Sequence, residues 1–196
     1  MQIILVRHGR PEHSSPRWCT PAQMKDWIER YNEAEVAVRE VPARLAELAA
    51  TAGAVVCSPS ARCRQSRDCL GLGACPAPDP VFAEAHLPYP DWSFPRLPPS
   101  LWRLLFRCAW FCGFARHTEP IAESRQRAEA AAQRLIALAE THGSVLLMGH
   151  GIMNLLIARQ LRRHGWSGPA PLLMRGYWHA SVYRKAVAGP AVETIK

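Results

Sequence analysis

The sequence predicts an α/β protein, a three-layer sandwich with a mostly parallel central sheet flanked by helices. Three observations lead there. The opening run Met1-Gln2-Ile3-Ile4-Leu5-Val6 is apolar and β-branched and stops at Arg7-His8-Gly9, the pattern of a buried strand with a loop at its carboxyl end. The same layout returns at Val145-Leu146-Leu147-Met148, which stops at Gly149-His150-Gly151. Between these runs, stretches of helical and strand periodicity alternate, as βαβ crossovers require.

The elements follow in order. Arg10 to Thr20 is a polar loop holding Pro11, His13, Ser14, Ser15 and Pro16, and a helix starts near Pro21. Val38, Val41, Leu45 and Leu48 recur three and four apart on one face of a second helix. Gly53 ends it, and Ala54-Val55-Val56-Cys57 is a short buried strand. Ser58-Pro59 reads as the N-cap and first-turn proline of a helix carrying Ala61 to Leu70. Residues 71–80 form a Gly/Pro loop. Gly71-x-Gly73 within it is a turn, since it neither follows a strand nor opens a helix. Val81-Phe82-Ala83 reads as a strand ending at Glu84. Thr118-Glu119-Pro120 opens a long helix to about His142, before the strand Val145 to Met148 and the helix Ile152 to His164. Terminal strands are expected around Tyr177 to Arg184 and Ala191 to Ile195.

The chain of 196 residues suffices for one α/β core, so residues 1–196 read as a single domain. Residues 86–118 break its rhythm with prolines 88, 90, 95, 98 and 99, then the aromatic run Leu101 to Phe114. With Arg103 and Arg107 inside it, that run is too short and too charged to span a bilayer. It reads as a helical lid over the mouth of a site; an interfacial helix is the alternative.

The formal charge of +8 comes almost entirely from arginine, which grips phosphate through a forked pair of donors. These arginines are dispersed, with no dense basic run interleaved with aromatics. Anionic or phosphorylated partners fit this charge, which by itself also allows nucleic acid, but the dispersal argues against it. The expected partner is a small phosphorylated substrate, with no nucleic acid and no membrane. The seven cysteines (19, 57, 63, 69, 75, 108 and 112) form no Cys-x-x-Cys pair and lack zinc spacings. They are expected to be reduced thiols with no metal, and a strand beginning at Met1 leaves no room for a leader, so a cytoplasmic location is expected.

If the first and last core strands lie side by side, His8 and His150 meet in one crevice. Phosphoryl transfer needs positive charge on the equatorial oxygens, an in-line nucleophile and a proton for the leaving oxygen. A neutral imidazole is a competent nucleophile, and arginines supply the charge with no cofactor. Arginines near His8 are expected to lower its pKa. His13, His117, His142, His164 and His179 read as structural, and the seven tryptophans as packing.

Taken together, Arg7-His8-Gly9, Ser58-Pro59-x-x-Arg62-x-x-Gln65-Ser66, Glu84 and Gly149-His150-Gly151 resemble the histidine phosphatase superfamily, the phosphoglycerate-mutase-like group, in its small phosphatase branch. The pieces stand in the family's order and cover nearly the whole chain. The resemblance implies a metal-independent phosphoric monoester hydrolase of the histidine acid phosphatase type. In it His8 becomes a phosphohistidine, Arg7, Arg62 and His150 hold phosphate, and Glu84 is general acid and then base. Glu12, Asp91 and His86 are rivals for the acid. The chain departs from the family where Pro11 replaces a threonine, Ser14 stands near an asparagine position, and Leu87-Pro88-Tyr89-Pro90-Asp91-Trp92 replaces a Gly- and Trp-rich motif. These departures leave the substrate open. They also keep three alternatives in play: a mutase, a phosphohistidine-protein phosphatase and a non-catalytic phospholigand-binding protein.

Overall fold

Alternation along the first strand organises the molecule. In the computed structural model, which describes residues 1–37, 40–72, 77–171 and 176–186, strand β1 (Gln2–Arg7) sits inside a four-stranded sheet. It pairs in parallel with β3 (Ser144–Gly149), Ile3 opposite Val145 and Arg7 opposite Gly149. Strand β2 (Ala54–Cys57) flanks β3 in parallel, and β4 (Ala180–Arg184) flanks β1 antiparallel. The order is therefore β2-β3-β1-β4.

Successive side chains point to opposite faces, so one strand feeds two cores. Ile3, Leu5, Val145 and Leu147 pack against α5 (Ile121–His142) and α6 (Gly151–Arg163) through Ala128, Leu135, Met153 and Ile157. Ile4, Val6, Leu146 and Met148 face α2 (Ala43–Ala50) and α3 (Ala61–Cys69) through Leu45, Ala49 and Cys63. These are the three layers expected. A separate core joins α1 (Met24–Glu33) to α4 (Pro99–Phe111), built from Cys19, Met24, Trp27, Ile28, Trp102 and Phe106.

Several boundaries differ from expectation. Helix α1 starts at Met24, because Thr20 and Gln23 exchange side-chain bonds to each other's backbone N–H at 2.9 and 3.3 Å and hold a turn first. Helix α2 begins at Ala43 after Pro42, so Val41 precedes it, and Val38 lies outside the described residues. The cap of α3 is Ser60, whose hydroxyl accepts from the Cys63 N–H, rather than Ser58. Ser58 N–H still donates to Met148 O at 3.1 Å, so the chain keeps its sheet direction one residue further. Val81 to Ala83 is not a strand. Asp79 accepts from Val81 N–H at 2.9 Å and closes a 3-10 turn over Pro80–Phe82. In the last part of the chain the strand is confined to Ala180–Arg184, and residues 191–195 lie outside the described residues.

Candidate active site

Parallel pairing of β1 with β3 brings their carboxyl ends together, and His8 N–H donates to Gly149 O at 3.1 Å. The rings of His8 and His150 meet edge to face with centroids 5.2 Å apart. Both are about 1% exposed, and Arg62 and Ser58 are buried beside them.

Two bonds fix the tautomer of His8. Nδ1 lies 2.7 Å from Gly9 O, and a carbonyl only accepts, so Nδ1 carries the proton. Arg62 Nε–H donates to Nε2 at 3.2 Å, which requires the lone pair there. Nε2 thus carries the lone pair. Burial is the largest influence holding the His8 pKa well below its ordinary value, followed by His150, Arg62 and Arg7. The arginines act in the expected direction but are not the main cause.

Arg62 sits in the first turn of α3, where Nη1 donates to the Tyr31 and Asn32 carbonyls at 3.3 and 2.9 Å. Ser66, one turn on, donates to Arg62 O at 2.7 Å and accepts from Gly9 N–H at 2.8 Å. Gln65 accepts from Val36 N–H at 3.0 Å. The Arg-x-x-Gln-Ser spacing therefore ties α3 to the loop after His8 through Gly9 and to the segment after α1 through Val36. Gly9 has no room for a side chain, since a Cβ there would lie 2.7 Å from both Trp178 and Val36.

Arg7 leaves β1 towards the start of α6, and its guanidinium carbon lies 3.4 Å from where a Cβ of Gly151 would be. His150 is the N-cap residue of that helix. Its Nε2 meets Ser58 Oγ at 2.8 Å, Ser60 Oγ at 3.3 Å and Cys63 Sγ at 3.4 Å. Burial, then the charge of Arg62, pushes His150 well below the ordinary imidazole value. Burial pushes the Cys63 thiol up to about 12, which keeps it protonated.

Glu84 arrives at the same helix from outside. Its Oε1 accepts from Met153 N–H at 3.0 Å and from Ala85 N–H at 3.1 Å, occupying the positive end of α6. Arg127 of α5, paired with Glu119, donates to the carbonyls of Val81, Ala83 and Glu84 and holds this segment. Of the rivals, Glu12 and Asp91 are exposed, and Asp91 is engaged by Arg116 and His117. His86 Nδ1 lies 3.4 Å from Asn32 Nδ2.

Two tyrosines had no signal in the sequence. Tyr177 lies over Arg7 at 4.3 Å and beside His8 with centroids 5.7 Å apart; Tyr31 lies over Arg62 at 5.2 Å. Their hydroxyls meet at 3.5 Å. Burial and the neighbouring Tyr177 push Tyr31 up to about 12, so it stays neutral. Helix α4 approaches from the side: Arg103 lies 5.7 Å over Trp27, and Arg107 donates to Ala85 O at 3.0 Å. Among the described residues, no three His, Cys, Asp or Glu side chains cluster to hold a metal ion. Of the tryptophans, 27, 102, 110 and 166 are packed as expected, whereas Trp18 and Trp92 are exposed.

Comparison with known proteins bears on this geometry. Residues 3–172 match the histidine phosphatase superfamily (branch 1). Mycobacterial glucosyl-3-phosphoglycerate phosphatase complexed with VO3 has the same fold at 18% identity and a TM-score of 0.60, covering 92% of this chain and 91% of that one. The product of open reading frame Rv3214 of Mycobacterium tuberculosis matches at 17% identity and 0.56, covering 95% of each chain. TTHB049 of Thermus thermophilus matches at 18% and 0.55, covering 93% and 92%. Among curated proteins none matches the sequence. The family match spans most of the chain, including Arg7, His8, Arg62, Glu84 and His150 but not Tyr177, and the chain belongs to the histidine phosphatase superfamily.

Proposed function

We propose that the protein is a phosphatase that hydrolyses a small phosphomonoester through a phosphohistidine on His8, without a metal or cofactor. The observation that carries this reading is the tautomer of His8, whose Nε2 lone pair faces Arg62 while Nδ1–H is held by Gly9 O.

The steps follow from the residues. A phosphoryl group enters between Arg7 and Arg62 and draws the Arg62 N–H groups onto its oxygens, which uncovers the His8 lone pair. Nε2 attacks phosphorus in line, and the bond to the leaving oxygen breaks as Glu84, protonated in the substrate complex, gives that oxygen its proton. His150 donates to an equatorial oxygen while Ser58 and Ser60 orient its ring. Water then attacks phosphorus, its proton passes to Glu84, the P–N bond breaks, and inorganic phosphate leaves with His8 neutral again. The insertion of residues 86–118 lines the route for the organic part of the substrate. The free cysteines of the described residues fit a reducing compartment such as the cytoplasm.

A phosphatase of this superfamily among the structural relatives supports the reading. The test is hydrolysis of p-nitrophenyl phosphate with EDTA present, with acid-labile phosphate on His8 trapped by rapid quench. Turnover in the wild type, lost in His8→Ala together with the trapped phosphate, is the expected result. Metal-dependent turnover, or turnover that survives His8→Ala, overturns the reading.

A further inference from the structure

Helix α4 presents an apolar face to solvent. Trp102, Phe106 and Trp110 recur every four residues and pack inward. The two charges of the helix lie on its flank rather than its outer face: Arg103, exposed, lies over the Trp27 ring, and Arg107, half-buried, bonds Ala85 O and lies over Trp110 at 4.9 Å. Leu101, Leu104, Leu105, Cys108 and Cys112 remain facing outward, with Leu104 51% exposed.

This face does not stand alone. Trp102 Nε1–H donates to Cys19 O at 2.9 Å, and Cys19 and Leu97 exchange backbone bonds at 2.9 and 3.0 Å. These bonds tie α4 to the segment bearing Trp18 and to the segment bearing Trp92 and Phe94. Phe94 is 78% exposed and Trp92 60%. The large hydrophobic side chains exposed among the described residues are Trp18, Trp92, Phe94, Leu101, Leu104 and Leu105, and all six belong to these tied segments. An apolar surface gathered in one place marks an interaction site rather than scattered exposure.

The charge around it selects the partner. From Trp92 to Thr118 the sequence has no Asp or Glu. Asp91, just before, is engaged by Arg116 and His117. Arg17, Arg96 and Arg103 are exposed on the same segments. A second copy would bring this positive rim against itself.

We propose that this face docks on the surface of an anionic lipid bilayer. Helix α4 lies in the interfacial plane with its leucines among the upper acyl chains. Trp18, Trp92 and Phe94 sit at head-group depth, and the arginines face anionic phosphates. No helix among the described residues is long and apolar enough to cross a membrane, so the contact is peripheral. The sequence led to the expectation of no membrane partner because the run, with Arg103 and Arg107 inside it, is too short and too charged to span a bilayer, an interfacial helix being the alternative. In the fold Arg103 and Arg107 flank the helix at Trp27 and Ala85, which leaves the outer face to the leucines.

The test is co-sedimentation of the full chain with vesicles of phosphatidylcholine alone and of phosphatidylcholine mixed equally with phosphatidylglycerol. Tryptophan emission is followed in parallel. Binding to the anionic vesicles with a blue shift is expected, with little binding to the neutral ones. The double variant Leu104→Glu, Leu105→Glu changes only exposed side chains. It is expected to lower the partition coefficient by at least about tenfold, as loss of buried apolar area plus added negative charge requires, with an unchanged circular dichroism spectrum. Three results overturn the proposal. The first is wild type that stays in the supernatant with both vesicles, and the second is a double variant that binds like wild type. The third is a dimer in sedimentation velocity that the double variant dissolves, which would assign the face to a second copy.

Discussion

Arg62 Nε–H donates to His8 Nε2 across 3.2 Å, so a candidate phosphate ligand rests on the lone pair of the candidate nucleophile. One side chain then has two effects that a single variant separates. Arg62→Met is expected to lower kcat/KM for p-nitrophenyl phosphate by about a hundredfold or more, the scale of losing one preorganised donor. It also removes a positive charge that depresses His8, so the His8 pKa is expected to rise, while burial still keeps it below 6.5. Steady-state kinetics and an NMR titration of the His8 ring check the two effects.

His8 and His150 both have folded pKa values below the unfolded value near 6.5, so their contribution to stability has a definite sign. Between the folded and unfolded pKa values the unfolded chain binds more protons, and stability falls as pH drops below about 6.5. Urea unfolding at about pH 7 and about pH 5 is expected to show that loss, and His8→Asn is expected to lose less over the same interval. An equal loss in wild type and variant would contradict the depressed value.

Gly9 is fixed by contact distance. A methyl group there meets Trp178 and Val36 at 2.7 Å, with Trp178 also holding the Arg7 carbonyl through its N–H at 3.1 Å. Gly9→Ala is expected to cost about 1–3 kcal/mol of stability, the usual penalty of overpacking, and to displace His8 with loss of turnover. Thermal unfolding and activity of the soluble variant check both.

Glu84 caps α6 with one carboxylate oxygen, which Gln can imitate because an amide oxygen also accepts from Met153 N–H. Glu84→Gln therefore keeps the cap and removes the titrating proton. Turnover of an alkyl phosphate, whose leaving group needs that proton, is expected to fall about 10²- to 10⁴-fold. p-Nitrophenyl phosphate, with a good leaving group, is expected to fall much less. Equal losses on both substrates would remove Glu84 from the acid role.

The sheet and the paired histidines were legible in the sequence for a physical reason. Strands buried on both faces are unbroken apolar runs, and β1 and β3 end at the two residues that meet, Arg7 opposite Gly149. Val81 to Ala83 was ambiguous because three apolar residues beside a proline suit a strand or a tight turn equally. The Asp79 bond to Val81 N–H decides it. Ser58 looks like a cap by local rules, yet its N–H belongs to Met148 O and its hydroxyl to His150, a partner 92 residues away. Tyr31, Tyr177 and Arg127 act through contacts between distant parts of the chain and carry no short motif. The direction of the His8 shift was readable from its arginines, but its main cause, burial, exists only once the chain has folded.

The Tyr31–Tyr177 contact has a thermodynamic consequence. Whatever reaches His8, a ring only 1% exposed, must first part its neighbours. Arg62 is held by the Tyr31 and Asn32 carbonyls and His150 by Ser58 and Ser60, whereas the two tyrosines meet each other through a single hydroxyl contact of 3.5 Å. For a crevice that opens at this contact, every ligand's apparent affinity is its intrinsic affinity multiplied by the fraction of molecules open. Shortening either side chain would then tighten binding of all small anions alike, raising occupancy without altering selectivity among them.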